Sequence, residues 1–307
     1  MVMMNTEILQ SLKTLGEVRT GEPMSLHTTF RVGGPADVFF TPTDPACLAE
    51  VRAQAREGGI PFTVIGGGSN LLVSDAGVRG IVARVCDGTG FRGGIRAEGG
   101  GVLYADARAG KKEFIDFALA AGLEGMEFMA GLPGCIGGGI AMNAGTSMGW
   151  FSDILARVRL ISGDDTVVER DITPEMVRYR DLAMEPGAIF LGALFRLRSA
   201  DDPEKTRRVI GEIILDRVQK HPLEYPSAGS VFKNPEGHAS WKLVNDAGLR
   251  GYRVGGAMVS DKHTNFIVNA GNATAGDIFR LIGHVRETVD KKFSVMLEPE
   301  VRMLGEF

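Results

Sequence analysis

The sequence has no run of roughly 18 apolar residues, so it contains no helix-length membrane span. Its three cysteines, Cys47, Cys86 and Cys135, are too few and too scattered for a disulfide framework or a CxxC metal site. Five histidines (His27, His221, His238, His263, His284) include no HExxH and no close pair, so no metal is expected. Basic blocks are missing too: 34 basic against 38 acidic residues leave a net charge of −4, spread evenly, which argues against a nucleic-acid surface. The opening MVMMNTEILQSL has no basic start and carries Glu7 inside its short apolar run, so it does not read as a signal peptide. A cytoplasmic protein, a monomer or weak oligomer, is expected. No 20–50-residue period recurs, which excludes a solenoid.

Glycine is abundant. There are 42 among 307 residues, about twice the usual share of roughly 7%, and no G-x-y period accompanies them. They must serve turns, or backbone lying against a ligand. The length predicts two domains, or three small ones, and 44% hydrophobic with 23% charged residues is an ordinary globular composition.

Several helices mark their own ends. Asp44 before Pro45 is an N-cap with proline in the first turn; Leu48, Val51 and Ala55 share a face, and Gly58-Gly59 stops the helix. Lys111 to Ala121 repeats the scheme with Phe114, Phe117, Ala118 and Ala121 inward. Asp202-Pro203 opens a third, with Val209, Ile210, Ile213 and Ile214 as its buried stripe. Thr274 and Asp277 form a capping box for a helix through Lys292. Strands are expected at 61–65, 71–73, 81–85, 158–161, 188–197 and 265–268. Helices and strands are interspersed without strict alternation, which predicts an α+β protein. The turn-rich Gly88–Gly101 and the polar Ser199–Asp202 divide the chain into lobes 1–84, 85–200 and 201–307, the last few residues being free to return to the first lobe.

Two loops carry the site reading. In Ile65-Gly66-Gly67-Gly68-Ser69-Asn70-Leu71 a strand enters a triple-glycine turn whose amides can converge on an anion, with Ser69 and Asn70 as further donors. A strand follows where a dinucleotide fingerprint would start a helix, so this is not the Rossmann motif. The second loop runs from Gly131 through Pro133, Gly134, Gly137 and Gly138 to Asn143, Ala144 and Gly145, apolar and dense in glycine. Together the two loops point to a clamp on a dinucleotide.

His27–Gly34 (HTTFRVGG), GGGSNLLVSD, GLPGCIGGGIAMNAG, Tyr179-Arg180-Asp181, Ala228–Pro235 (AGSVFKNP) and Glu298–Arg302 (EPEVR) occur in that order. In this combination the chain resembles the UDP-N-acetylenolpyruvoylglucosamine reductase family of bacterial peptidoglycan precursor synthesis. The resemblance implies a two-lobe FAD-binding fold of the vanillyl-alcohol-oxidase type with a C-terminal α+β substrate-binding domain. It also implies non-covalent FAD, NADPH as reductant and UDP-N-acetylglucosamine enolpyruvate as small-molecule substrate. Hydride would pass from NADPH to flavin N5 and on to the enolpyruvyl double bond, giving UDP-N-acetylmuramate.

The same resemblance implies three catalytic residues. Arg180 would hold the substrate carboxylate through its two-pronged guanidinium. Ser230, protonated throughout the physiological range, would deliver the proton. Glu300 would be kept protonated by burial and donate a hydrogen bond to the ene-diolate, since an ionised carboxylate would oppose that charge. Glu298 ranks second for that role by register. Tyr179, Lys233 and Asn234 would contact the substrate, and Lys262 and His263 are candidates for its polar groups. Cys135 reads as a small apolar filler, having no cysteine near it in sequence. Only 50 positions separate Arg180 from Ser230, too few for the inserted tyrosine loop of longer members, so the chain resembles the shorter, type II form. The alternative is another FAD-dependent oxidase or dehydrogenase of the same superfamily, which would explain the glycine loops but not the Ser230 and Glu300 motifs.

Overall fold

The computed structural model describes residues 6–86 and 94–307. Part of the turn-rich stretch taken as the first boundary, 88–93, and the first five residues lie outside them. Among the described residues the remainder of that stretch is a hairpin. Strand Ile95–Gly99 turns through three left-handed glycines, Gly99 (φ 90°), Gly100 (φ 57°) and Gly101 (φ 77°), into strand Val102–Asp106.

Three sheets organise the chain. The first has the order Gly16–Pro23, Pro35–Pro42, Val78–Arg84, Phe62–Ile65, antiparallel at its first pair and parallel in the other two. The second is wholly antiparallel and five-stranded: Val167–Asp171, Leu155–Ile161, Ile189–Arg196, Val102–Asp106, Ile95–Gly99. The third joins Ser227–Ser230, Phe266–Asn269, Ala257–Val259 and Arg253–Val254. Near the C-terminus, strand Arg302–Leu304 returns to pair in parallel with Leu71–Val73 just after the first glycine loop. The mixture is α+β, as expected.

The capped helices form where their signals stand. Asp44 accepts from the Ala46 amide and opens a short 3-10 turn that continues as helix Leu48–Glu57. Thr274 and Asp277 cap helix Ala275–Phe293 reciprocally, with Ile278, Leu281, Ile282, Val285 and Val289 buried along one stripe. Helix Lys111–Ala120 buries Phe114, Ile115 and Ala118, whereas Phe117 is only half-buried and Ala121 is exposed beyond its end.

Two expectations change. Helix Pro203–Lys220, assigned to the third lobe, packs Ile210 and Ile213 into the core of the five-stranded sheet beside Phe114 and Phe195. Its predicted stripe is also narrower: Ile210 is buried, but Ile214 is 43% exposed. The lobes interlock elsewhere as well. Phe30 and Val32, ahead of the first sheet's second strand, are buried in the third sheet's core with Phe232 and Ile282. Ile161, Ile189 and Leu191 of the second sheet pack with Val38 and Ile81 of the first.

Candidate active site

Tyr179 and Arg180 form the two-residue loop of a hairpin in which Arg178 pairs with Asp181. The turn needs a left-handed second residue, and Arg180 takes that conformation at φ 58°, unfavourable for a side chain with a Cβ. A 3-10 turn, Pro174–Met176, precedes the hairpin. The turn aims the guanidinium inward. Nη1 donates to the Gly145 carbonyl at 2.9 Å, and Nε lies 3.0 Å from Glu300 Oε1. The pairing is close in distance but misaligned, so the buried Nε–H is left without a hydrogen-bonded acceptor. Neither neighbouring carboxylate, Asp181 or Glu185, pairs with Arg180 among the described residues. Trp150 and Tyr179 flank the guanidinium, their ring centroids 5.0 and 5.5 Å from its carbon.

Segments of all three lobes meet at Glu300. Its backbone amide donates to Val231 at 2.7 Å, directly after Ser230 at the edge of the third sheet. Its carbonyl accepts from the Asn70 side-chain amide of the first glycine loop at 3.0 Å. Its carboxyl faces Arg180 in the turn of the hairpin. Burial pushes this carboxyl above the ordinary glutamate range, against the opposing pull of the Arg180 and Lys233 charges. Glu298 does not share this place: no strand forms there, and its carboxylate, 69% exposed, pairs with Lys233 at 2.6 Å. Ser230 ends a strand that pairs with Phe266, after Gly229 in the left-handed region, and its hydroxyl is unengaged among the described residues.

The two glycine loops touch. A Cβ added to Gly67 would lie 3.3 Å from Gly134 Cα, one on Gly66 3.2 Å from Cys135 Sγ, and one on Gly134 2.8 Å from Ser69 Oγ. The arcs therefore present a joint backbone surface and not a slot. Three other loop glycines are needed by the chain itself: at Gly68, Gly137 and Gly145 a Cβ would strike the His27 carbonyl, Ala107 and Trp150. Ile65 and Leu71 are buried strand ends flanking the first loop. Asn143, left-handed at φ 37°, donates to the Arg178 carbonyl and accepts from the Ser152 amide, while Ala144 exchanges backbone bonds with Gly139 and Phe151. These residues tie the second loop to the Arg180 hairpin.

Sequence reasoning missed two cations beside the loops. Lys111 is 7% exposed, and its amine has only the Pro133 carbonyl, 2.8 Å away, as hydrogen-bond acceptor. Burial pushes its pKa down to about 8. Arg217 lies against Gly131, with its buried Nε unpartnered. Each had a signal: Lys111 occupies the first turn of a helix, against the dipole, and Arg217 falls seven residues after Ile210 on the packed face. Cations without carboxylate partners among the described residues, beside loops dense in glycine, fit a bound diphosphate. The residues present therefore suit FAD.

The remaining candidates are placed less centrally. The Asn234 amide donates to Tyr179 Oη at 3.3 Å across the second and third lobes, and the Asn234 side chain accepts from Ser240. Lys262 pairs with Glu224 at 3.2 Å on the surface. The His263 ring is built into an aromatic cluster with His221 and Phe266. None of the last three residues touches Arg180 or Glu300. Among the described residues no cluster suits a metal, and no helix is long and apolar enough to cross a membrane.

The family model for an FAD-binding domain matches residues 36–171, and that for the C-terminal domain of UDP-N-acetylenolpyruvoylglucosamine reductase matches 221–304. The chain is 41% identical to the UDP-N-acetylenolpyruvoylglucosamine reductase of Lachnoclostridium phytofermentans over 99% of both chains, and 40% identical to that of Geobacter metallireducens over 99% of this chain and 100% of the other. Among solved structures, UDP-N-acetylenolpyruvylglucosamine reductase from Thermus caldophilus superposes with a TM-score of 0.78 at 31% identity, covering 94% of this chain and all of that one. A berberine bridge enzyme variant shares the fold of part of the chain, with a TM-score of 0.50 at 14% identity over 64% of this chain and 43% of the other. With sequence and fold in agreement, the chain belongs to the UDP-N-acetylenolpyruvoylglucosamine reductase family.

Proposed function

We infer that this chain catalyses the reaction its family is named for, the NADPH-dependent reduction of UDP-N-acetylenolpyruvoylglucosamine to UDP-N-acetylmuramate. The observation that carries the reading is the meeting of segments from all three lobes on Glu300, opposite Arg180 and next to the Ser230 strand. FAD, when bound, supplies the hydride that saturates the enolpyruvyl double bond. Lys111, Arg217 and the two glycine loops would hold its diphosphate.

The residues of the chain do the rest. Arg180 turns its unengaged Nε–H to the substrate carboxylate, where negative charge collects as the double bond is reduced. Burial raises the Glu300 pKa, which favours the protonated form whose O–H donates to the same developing anion. Ser230 passes its proton to the adjacent carbon; a hydroxyl is acid enough because an ene-diolate is a very strong base. Tyr179 and the Asn234 amide, joined across the second and third lobes, stand in for the missing tyrosine loop in closing the site. Lys233 contacts the sugar nucleotide, with Lys262 and His263 further out. Residues 1–84 and 85–200 hold the flavin. The substrate lobe's own fold begins after the helix that ends at Lys220, and its last strand returns to the first lobe. The enzyme works in the cytoplasm as a monomer or weak oligomer on a small molecule.

Mixing the yellow protein with NADPH under anaerobic conditions should bleach the flavin. Adding UDP-N-acetylglucosamine enolpyruvate should then restore the colour within the dead time of an oxygen control. Recovery by oxygen alone would move the chain to the alternative, a superfamily oxidase acting on another substrate.

A further inference from the structure

Cys135 is not an isolated filler. Where the glycine loops touch, its sulfur is hydrogen-bonded by the Cys86 thiol, which arrives from the end of the first sheet, 49 positions earlier in the sequence. Built Cβ atoms place both sulfurs against successive glycines, Cys135 Sγ 3.2 Å from Gly66 and Cys86 Sγ 4.0 Å from Gly67. The backbone amides of Gly138 and Gly67 also donate to Cys135, and the Lys111 charge is near. These donors together hold its pKa below the ordinary thiol value in spite of burial. Both cysteines are buried, yet the cover is thin. Gly138 is exposed, and a Cβ on it would be 3.8 Å from Cys135 Sγ.

We propose that Cys86 and Cys135 are a disulfide-forming pair, oxidised by a hydroperoxide, that cross-links the first lobe to the second glycine loop. The Cys135 thiolate attacks the peroxide O–O bond, which breaks to give a Cys135 sulfenic acid and, with one proton, water or an alcohol. Cys86 sulfur then attacks the sulfenic sulfur. The S–S bond forms, and the departing hydroxide takes the Cys86 proton to leave as water. Two thiols are oxidised by two electrons and one peroxide is reduced. Cys47 is the internal control: burial and the neighbouring Asp44 and Glu50 carboxylates push its thiol up to about 11, which leaves it nearly without thiolate.

The test treats FAD-loaded and FAD-stripped protein with hydrogen peroxide, blocks residual thiols with iodoacetamide, and maps non-reduced peptides by mass spectrometry. The expected result is a Cys86–Cys135 linked peptide in at least one form, produced at least ~10-fold faster than Cys47 is oxidised, and reversed by dithiothreitol. In Cys86→Ser the reaction should stop at a Cys135 sulfenic acid that dimedone captures. Oxidation of Cys47 ahead of the pair, or no linked peptide in either form, overturns the proposal. Because the readout is a bond and not turnover, its failure leaves the reductase assignment standing.

Discussion

A carboxyl group buried beside an arginine is either an ion-pair partner or a hydrogen-bond donor, and at Glu300 burial outweighs the arginine. Its raised pKa keeps the donor form present to higher pH than in an exposed glutamate. Reduction of the enolpyruvyl substrate should therefore fall as pH rises through that value. Glu300→Gln, a permanent donor, should flatten this alkaline limb, as seen in pH profiles of the substrate half-reaction. An unchanged limb would assign it to another group. Lys111 makes the opposite kind of prediction. Its buried charge lacks a carboxylate partner, so Lys111→Met should raise the Tm of the FAD-free protein while weakening FAD binding about tenfold or more, read by calorimetry and flavin titration. The roles of Arg180 and Glu300 entered through motifs that no spacing rule explains. What the motifs could not convey is that Arg180 owes its direction to a left-handed turn residue. Lys111 and Cys86 escaped notice because their partners lie elsewhere in the sequence.

At the scale of elements, short-range signals were legible and long-range ones were not. The Thr274–Asp277 box announced its helix, but the same N-terminus also takes both carboxylate oxygens of Asp75, each 2.9 Å from the Ala275 and Gly276 amides. That contact spans 200 positions and fastens the third lobe to the loop after strand Leu71–Val73. Asp75→Ala should cost about 1 kcal/mol in denaturant unfolding and speed hydrogen exchange in the first turn of Ala275–Phe293. The stripe on helix Pro203–Lys220 was read too wide because periodicity cannot say how much of a face a neighbour covers. Loop glycines divide in the same way. Gly139 is packed against Phe151, a Cβ there falling 2.3 Å from its ring, so Gly139→Ala should destabilise by roughly 1–3 kcal/mol of overpacking, measured by chemical denaturation.

Across the whole molecule, the division into lobes is less clean than composition implied. Hydrophobic cores pass between sheets, the C-terminal strand crosses back to the first glycine loop, and a single glutamate backbone is held by two lobes while its carboxyl meets the third. Composition shifts locate linkers, but they carry no record of which buried faces meet. In the proposed mechanism this interlocking lets residues 180, 230 and 300 act on one substrate without an inserted covering loop. That mechanism also separates the two halves of the reaction, because in it Ser230 and Glu300 act on substrate and leave NADPH oxidation alone. Anaerobic stopped-flow of Ser230→Ala tests this most directly. Flavin bleaching by NADPH should match wild type, while recovery of colour on adding UDP-N-acetylglucosamine enolpyruvate should slow by about 10²–10⁴-fold. Equal slowing of both phases, or of neither, would contradict the assignment of the proton to Ser230.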